Sequence, residues 1–149
     1  MSYDKKIFEG VEIVNNALKQ LKAFQILDSP DFSIDKISHK NYLKIDLRKS
    51  NNVDLSIIIT LDGIQINIDR VNEGVEWSYS QYEKSQDEVI NLIKIIFTSE
   101  IRVQYCGTKY TKILFFDKKK ECLKTIKSIE GLYLKINCKI KKYPPIYDI

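Results

Sequence analysis

Residues 55–70, LSIIITLDGIQINIDR, constrain the fold of this chain more than any other segment. Asp62-Gly63 favours a two-residue hairpin loop, because a type I′ turn needs positive φ at both central residues. That loop places six apolar side chains on one side of the two strands, in the opposing pairs Leu61–Ile64, Ile59–Ile66 and Ile57–Ile68. The other side is polar apart from Ile58. The segment therefore predicts a sheet with one buried face and one solvent-facing face.

The alternation of apolar and polar residues continues on both sides of this hairpin. Its apolar positions are Leu43, Ile45 and Leu47 before the hairpin and Val75, Trp77 and Tyr79 after it. A loop over residues 71–74 sets Trp77 opposite Ile68 and Tyr79 opposite Ile66. We predict a four-stranded antiparallel meander over residues 42–80, whose apolar face must be covered by other elements.

Two segments with helical periodicity can cover that face. The first ends before the DSPD segment at residues 28–31, and Gly10 is expected to weaken it slightly. The second begins at one of two capping boxes, Ser80-x-x-Glu83 or Ser85-x-x-Glu88, and ends near Thr98. The apolar stripes are Ile7, Val11, Val14, Leu18 and Leu21 in the first helix and Val89, Leu92, Ile93 and Ile96 in the second.

Strand patterns return after residue 100. Residues 101–105 and 110–117 predict two strands, and residues 121–128 predict a third strand or, alternatively, a short helix. A last strand is predicted with one set of alternating residues turned inward, namely Leu132, Leu134, Ile136, Cys138 and Ile140.

Together these segments predict an α+β protein that forms a single domain over residues 1–149. We expect seven or eight mostly antiparallel strands and two main helices that pack on the apolar sheet face. Helix followed by strands occurs twice, so the chain could consist of two structurally similar halves, residues 1–80 and 81–149.

The cysteines and the chain's hydropathy predict a cytoplasmic protein. Cys106, Cys122 and Cys138 are odd in number and include no CxxC pair, so we expect three reduced thiols. No window of 18 apolar residues exists, and residues 1–10 lack the apolar core of a signal peptide. We therefore expect no membrane partner.

Charge is distributed unevenly along the chain. Residues 1–100 hold 12 Lys+Arg and 16 Asp+Glu, a balance of −4, whereas residues 101–149 hold 12 and 4, a balance of +8. The alternative function that this asymmetry predicts is nucleic-acid binding through the C-terminal strands. Lysines that protect edge strands from aggregation are the structural explanation of the same pattern. The predicted basic patch comprises Lys118, Lys119, Lys120, Lys124, Lys127, Lys139, Lys141 and Lys142.

Residues that could support catalysis are scarce, so we predict a protein that is not an enzyme and that has no cofactor. His39 is the only histidine and lies in the polar segment SHKN, although a dyad with Cys106 stays open because such pairs need not be close in sequence. The Cys and His residues have no zinc-ligand spacing, so no metal site is predicted. The C-terminal PPIY at residues 144–147 matches a WW-domain ligand, or is a tail whose Ile146, Tyr147 and Ile149 pack on the core.

In size and in this scarcity of catalytic residues, the chain resembles small bacterial immunity proteins that neutralise polymorphic toxins. The segments GTKYTKILFFDKKKECLKTIK and GLYLKINCKIKKYPPIY carry the resemblance, which concerns organisation and not a diagnostic motif. It implies a non-enzymatic protein-binding module that covers the active site of a toxin.

Immunity proteins against nucleases are commonly acidic, whereas this chain is basic overall. If the resemblance holds, one implication is a toxin that does not bind nucleic acid. The other is that the acidic N-terminal two-thirds of this chain contacts the toxin. The predicted contact residues lie near residues 71–74 and the start of the second helix, and are Asp69, Glu73, Glu76, Tyr82, Glu83 and Asp87.

Overall fold

The computed structural model describes residues 3–21, 25–131 and 137–148. The described residues form three α-helices, which are α1 (Lys5–Lys19), α2 (Tyr79–Lys84) and α3 (Gln86–Thr98), and a short 3-10 helix (Ile26–Asp28). They also form nine strands: β1 (Phe32–Ile34), β2 (Tyr42–Leu47), β3 (Leu55–Thr60), β4 (Gly63–Ile68), β5 (Glu76–Ser78), β6 (Glu100–Cys106), β7 (Tyr110–Phe116), β8 (Cys122–Ile129) and β9 (Lys139–Tyr143). The predicted α+β class is confirmed.

The strands form two antiparallel sheets. Sheet A has the order β1-β2-β3-β4-β5, and sheet B has the order β8-β7-β6-β9. The predicted four-stranded meander is confirmed as β2 to β5, but it ends at Ser78, because Tyr79 and Ser80 begin α2 and are not strand residues as predicted. The predicted strand over residues 121–128 is confirmed as β8, and the helical alternative is wrong. Strand β1 was not predicted, because three residues are too few to show an alternating pattern.

The central hairpin has the predicted faces but a different register. Ile59 pairs with Ile64 and Ile57 with Ile66, so the two-residue loop is Leu61-Asp62 and not Asp62-Gly63. Neither loop residue has positive φ. The turn is stabilised instead by the Thr60 hydroxyl, which accepts hydrogen bonds from the backbone N–H groups of Asp62 and Gly63. The shift of two residues keeps the isoleucines on one buried face but leaves Leu61 at the exposed tip, so its predicted burial was wrong.

Gly63 explains why the loop lies one residue earlier than predicted. A Cβ on Gly63 would lie 2.1 Å from the carbonyl oxygen of Trp77 and 2.8 Å from the Cα of Ser78. The glycine is therefore needed for the close approach of β5 to β4 and not for a turn.

The next hairpin also differs from the predicted register by an even number of residues. Trp77 lies opposite Ile64 and not opposite Ile68, because the chain reverses earlier, at Asp69. Asp69 has a φ of 55°, and Val71 bridges back to Ile68. Trp77 still reaches the apolar face, since a shift of four residues conserves the face.

The helices cover the apolar face of sheet A as predicted. Ile7, Val14 and Leu18 of α1 are fully buried, and α1 packs against β3 and α3. At Gly10 a Cβ would lie 2.4 Å from Cγ2 of Ile59, so the glycine that weakens the helix permits its close approach to the sheet. In α3, the predicted stripe residues Ile93 and Ile96 are fully buried.

The predicted second helix is two helices separated at Ser85. The capping box of α2 is formed by Ser78 and Gln81 and not by Ser80 and Glu83. Ser85 is the N-cap residue of α3, which is the position that the predicted capping box Ser85-x-x-Glu88 gave it. Its side chain makes no capping hydrogen bond.

The C-terminal residues confirm the tail interpretation of PPIY. Ile146 and Tyr147 are buried, and the backbone N–H of Tyr147 donates to the carbonyl of Phe97 at 2.8 Å. In the predicted last strand, Ile140 is 61% exposed, so its inward placement was wrong. The predicted positions 132–136 and 149 lie outside the described residues.

Asp69 and Arg70, between β4 and β5, connect the two sheets. The Asp69 carboxylate accepts a hydrogen bond from the hydroxyl of Tyr105 on β6. The Arg70 guanidinium donates to Thr111 and to the carbonyl oxygens of Gly107 and Tyr110, the latter two at 2.8 and 2.9 Å. These bonds hold sheet A against one end of sheet B.

Cys106 and Cys138 form a disulfide, so the prediction of three reduced thiols was wrong. The sequence separation of 32 residues gave no sign of the pair, but β9 runs antiparallel to β6 and brings the two Cα atoms within 4.3 Å. Cys122 is a free, exposed thiol. None of the helices in the described part of the chain is long and apolar enough to cross a bilayer.

Reduction of this disulfide should lower the free energy of unfolding by about 2–4 kcal/mol, because the bond closes a long loop and restricts the unfolded chain. Urea unfolding with and without a reducing agent measures the change, and Cys122→Ser in both conditions is the matched control. An unchanged midpoint on reduction, with the reduced state confirmed by thiol alkylation, would contradict the prediction.

Candidate functional site

Two adjoining grooves lie at the open edge of sheet A formed by β5. They have volumes of about 510 and 330 Å³, and Glu76, Trp77 and Gln81 line both. The larger groove is further lined by Ile58, Thr60, Asp62, Gly63, Ile64, Gln65 and Ser78, and the smaller by Lys84, Ser85, Glu88, Val89 and Leu92. The shared edge therefore combines apolar side chains, backbone and carboxylates.

The local sequence explains how this edge is built. Strand β5 is only three residues long and leads directly into α2, because Ser78 is both the last strand residue and the N-cap of the helix. Gln81 completes the capping box by accepting a hydrogen bond from the Ser78 N–H at 2.8 Å. The backbone alternation of an antiparallel pair turns the N–H and C=O of Glu76 away from β4, toward the open edge.

Trp77 is the largest side chain at this edge. It is 6% exposed, and its indole Nε1 is buried without an acceptor among the described residues. Most buried polar groups in proteins are hydrogen-bonded, so this N–H is an unusual feature of the edge.

A third groove, of about 210 Å³, lies on the other side of α2. It is lined by Glu9, Glu12, Ile13, Asn16, Tyr79, Tyr82 and Glu83. Burial, together with the carboxylates of Glu9 and Asp62, raises the pKa of Tyr79 to about 12. Its hydroxyl, which lies 2.8 and 2.6 Å from the carbonyl oxygens of Lys6 and Thr60, therefore stays protonated and joins α1 to β3.

The predicted contact residues fall into three groups. Glu76, Tyr82 and Glu83 line the grooves on the two sides of α2. Asp87 is exposed in the first turn of α3, and Glu73 is exposed between β4 and β5, 3.4 Å from the Ser128 hydroxyl that donates to it. Asp69 bonds to Tyr105 inside the protein and contributes to the joint between the sheets.

The predicted basic patch is divided by the strand order of sheet B. Strands β8 and β9 form opposite edges of the sheet, so Lys124 and Lys127 are separated from Lys139, Lys141 and Lys142. The turn between β7 and β8 carries Lys118, Lys119 and Lys120, of which Lys118 lies 3.7 Å from Asp148 and Lys120 lies 3.1 Å from Glu100.

A different set of cations lies together on the outer face of sheet B. Lys127 is directly opposite Lys112, and Lys142 is directly opposite Arg102. Lys112 and Arg102 were not part of the predicted patch, because the sequence shows that they alternate with core residues but does not show which strands pair. We call Lys127, Lys112, Arg102 and Lys142 the cationic stripe.

The residues considered for catalysis do not form a dyad. The sulfur of Cys106 is bound in the disulfide and is not available as a thiolate. His39 stacks on Tyr42 with ring centroids 5.8 Å apart, and its Nδ1 accepts from the Asn41 N–H at 3.2 Å. Within residues 3–21, 25–131 and 137–148, no three His, Cys, Asp or Glu residues are grouped so that they could hold a metal ion.

The fold and these surfaces define the class of the molecule, an α+β protein with two antiparallel sheets and grooves at a sheet edge. The chain matches no protein-family model, no curated protein and no solved structure. Function must therefore be argued from the surfaces themselves.

Proposed function

We propose that this protein is a non-enzymatic protein-binding module of the immunity type, which neutralises a cognate toxin by covering its active site. The observation that supports the proposal is the position of α2 between grooves with acidic rims, beside an open sheet edge. A partner of ordinary interface size buries on the order of 800 Å² on each side, which is enough to span α2 and the grooves on its two sides.

The charge of this surface indicates the chemistry of the partner. The carboxylates around α2 are Glu9, Glu12, Asp62, Glu76, Glu83 and Glu88, and they surround a single groove-lining lysine, Lys84. Complementary charge speeds encounter and excludes wrong partners, so the proposed toxin surface is basic. This assigns contact to the acidic N-terminal two-thirds of the chain, in agreement with the charge balance of residues 1–100.

Apolar groups at the same surface would supply the central contacts. Leu92 and Tyr82 are half-buried at the groove walls, and Trp77 lies beneath both grooves at β5. Interfaces are typically built from such aromatic and aliphatic centres with polar rims.

The test is capture followed by rescue. Tagged protein, expressed in cells that carry the native locus, should recover one protein, and co-expression should relieve the toxicity of that partner in a second host. The double variant Glu76→Lys/Glu83→Lys should lose rescue, because it reverses the charge on both sides of α2. The control Glu121→Lys/Glu130→Lys makes the same charge change at the exposed residues that flank β8 and should keep rescue.

Two outcomes would overturn the proposal. Either no protein is recovered from cells with the native locus, or the recovered protein is bound equally well by both double variants. Far-UV circular dichroism of both variants shows that each is folded before binding is compared.

We also propose the cytoplasm as the compartment of action. Disulfides are rare there, so a cytoplasmic protein would work with Cys106 and Cys138 reduced. The unfolding experiment in reducing agent decides this point, since a fold that is lost on reduction would be incompatible with a cytoplasmic role.

A further inference from the structure

We infer that the outer face of sheet B binds single-stranded nucleic acid along the cationic stripe. The stripe has one cation on each of four neighbouring strands, in the order Lys127, Lys112, Arg102, Lys142. Lys127 and Lys112 share one row of the sheet, and Arg102 and Lys142 share the next row. The four side chains therefore cross the sheet diagonally, and they extend over about 14 Å in the direction perpendicular to the strands.

Register and burial place the stripe on the side away from the core. The residues that flank it along the strands, Val103, Ile113, Ile126 and Tyr143, are buried and point to the opposite face. Successive residues of a strand alternate between faces, so the cations face outward. Lys127 and Lys142 are exposed, and Lys112 and Arg102 are half-buried.

Stability of the fold does not explain this arrangement. Like charges directly opposite each other in a sheet are destabilising, and the stripe contains two such pairs. Edge protection explains lysines on β8 and β9, but Lys112 and Arg102 lie on the central strands, where no edge needs protection. An anionic ligand laid across the pairs would remove the repulsion.

One acidic residue lies close to the stripe. Glu100 is 3.3 Å from the Arg102 guanidinium and 3.1 Å from Lys120. Burial acts to raise the pKa of Glu100, but the hydrogen bonds from Lys120 and Arg102 outweigh it and lower the pKa. Glu100 thus neutralises the charge of Arg102, and the nearby Lys120 adds one positive charge back beside Arg102.

Apolar groups beside the stripe favour nucleic acid over other polyanions. The Arg102 guanidinium carbon lies 4.1 Å from the ring centroid of Phe116, Leu114 is half-buried, and Ile140 is 61% exposed. Bases of single strands stack on arginine and aromatic planes while cations hold the phosphates, and an open four-stranded sheet is a surface on which this is done. The line of charge fits an extended chain of phosphates and not one compact anion.

The experiment measures binding of the full-length protein to fluorescent dT and U 12-mers by anisotropy. With four phosphate contacts, affinity should fall about 50-fold between about 50 and 200 mM salt, since the slope for single strands is close to −0.7 for each contact. Lys127→Gln/Lys142→Gln should weaken binding about tenfold or more at the lower salt.

The chain offers a matched control on the same two strands. Lys124→Gln/Lys139→Gln removes the same charge from β8 and β9, but these side chains share the opposite face with Phe115 and Tyr105. This variant should change affinity by less than about twofold. The stripe variant should also unfold at a higher urea concentration than the native protein, because like-charge contacts are removed, and the control should not.

Four results would overturn the inference. These are no binding of either 12-mer at the lower salt, equal loss of affinity in the two double variants, equal competition by polyglutamate at matched charge, and a lower urea midpoint for the stripe variant. Binding to vesicles that contain phosphatidylserine, without binding to the 12-mers, would assign the face to an anionic lipid surface instead.

Discussion

Ile59→Asp should unfold the protein. Ile59 is fully buried on β3, the central strand of sheet A, with Leu43 on one neighbouring strand and Ile64 on the other. Its Cγ2 also contacts α1 at Gly10. The substitution removes apolar burial worth about 2–3 kcal/mol and places a carboxylate where it has no partner, which costs several kcal/mol more. The sum is comparable to the whole stability of a domain, about 5–15 kcal/mol.

Leu61→Asp is the matched control for this prediction. In the register predicted from the sequence, Leu61 would be as buried as Ile59, whereas the structure leaves it 40% exposed at the tip of the hairpin. We expect Leu61→Asp to change the free energy of unfolding by no more than about 0.5 kcal/mol, as for other surface substitutions. Circular dichroism and urea unfolding of both variants measure the difference, and two equally unfolded variants would show that the loop lies at Asp62-Gly63 after all.

Tyr147→Ala should lower the free energy of unfolding by about 3–5 kcal/mol, as for other buried aromatic residues. The ring stacks on Phe97 with centroids 6.1 Å apart, and the Lys49 ammonium lies 4.8 Å from its centroid. The hydroxyl donates to Asp31 at 3.1 Å, so one side chain connects the C-terminus to α3 and to the segment before β1. Loss of the Tyr147 side chain would leave a cavity and would remove the contacts of the C-terminal residues with α3 and with Asp31.

Tyr147→Phe separates the contribution of the hydroxyl from that of the ring. The ring is kept and the hydrogen bond to Asp31 is lost, and we expect the free energy of unfolding to decrease by about 1 kcal/mol. Urea unfolding of the two variants gives both values. Equal stability of Tyr147→Ala and the native protein would contradict the burial of the tail and would reopen the reading of PPIY as an exposed ligand.

The two misplaced hairpins show where local patterns fail. The isoleucines of β3 and β4 were assigned to the correct face, because a strand has a period of two and even shifts conserve the face. The loop itself was misassigned, because Gly63 is required by the approach of the β5 backbone and not by a turn. The sequence alone does not show whether a glycine is required by a turn or by the close approach of another strand. Only the position of the neighbouring strand distinguishes the two.

The candidate site was predictable in part. Glu76, Tyr82 and Glu83 were chosen near a predicted helix start. Tyr82 and Glu83 lie in α2, Glu76 lies in the adjoining β5, and all three line grooves. Glu9 and Glu12 were not connected with them, because residues about 70 positions apart meet there only after α1 packs on the sheet. For the same reason, the eight lysines predicted as one patch lie on two edges and a turn.

The sequence by itself determined the buried face of β2, β3, β4, α1 and α3, because amphipathic periodicity depends on local geometry alone. Only the tertiary structure decided the order of strands in sheet B, and with it the pairing of Cys106 with Cys138 and of Lys112 with Lys127. Pairing between strands depends on contacts between distant parts of the chain, and the alternating pattern of one strand is compatible with many neighbours.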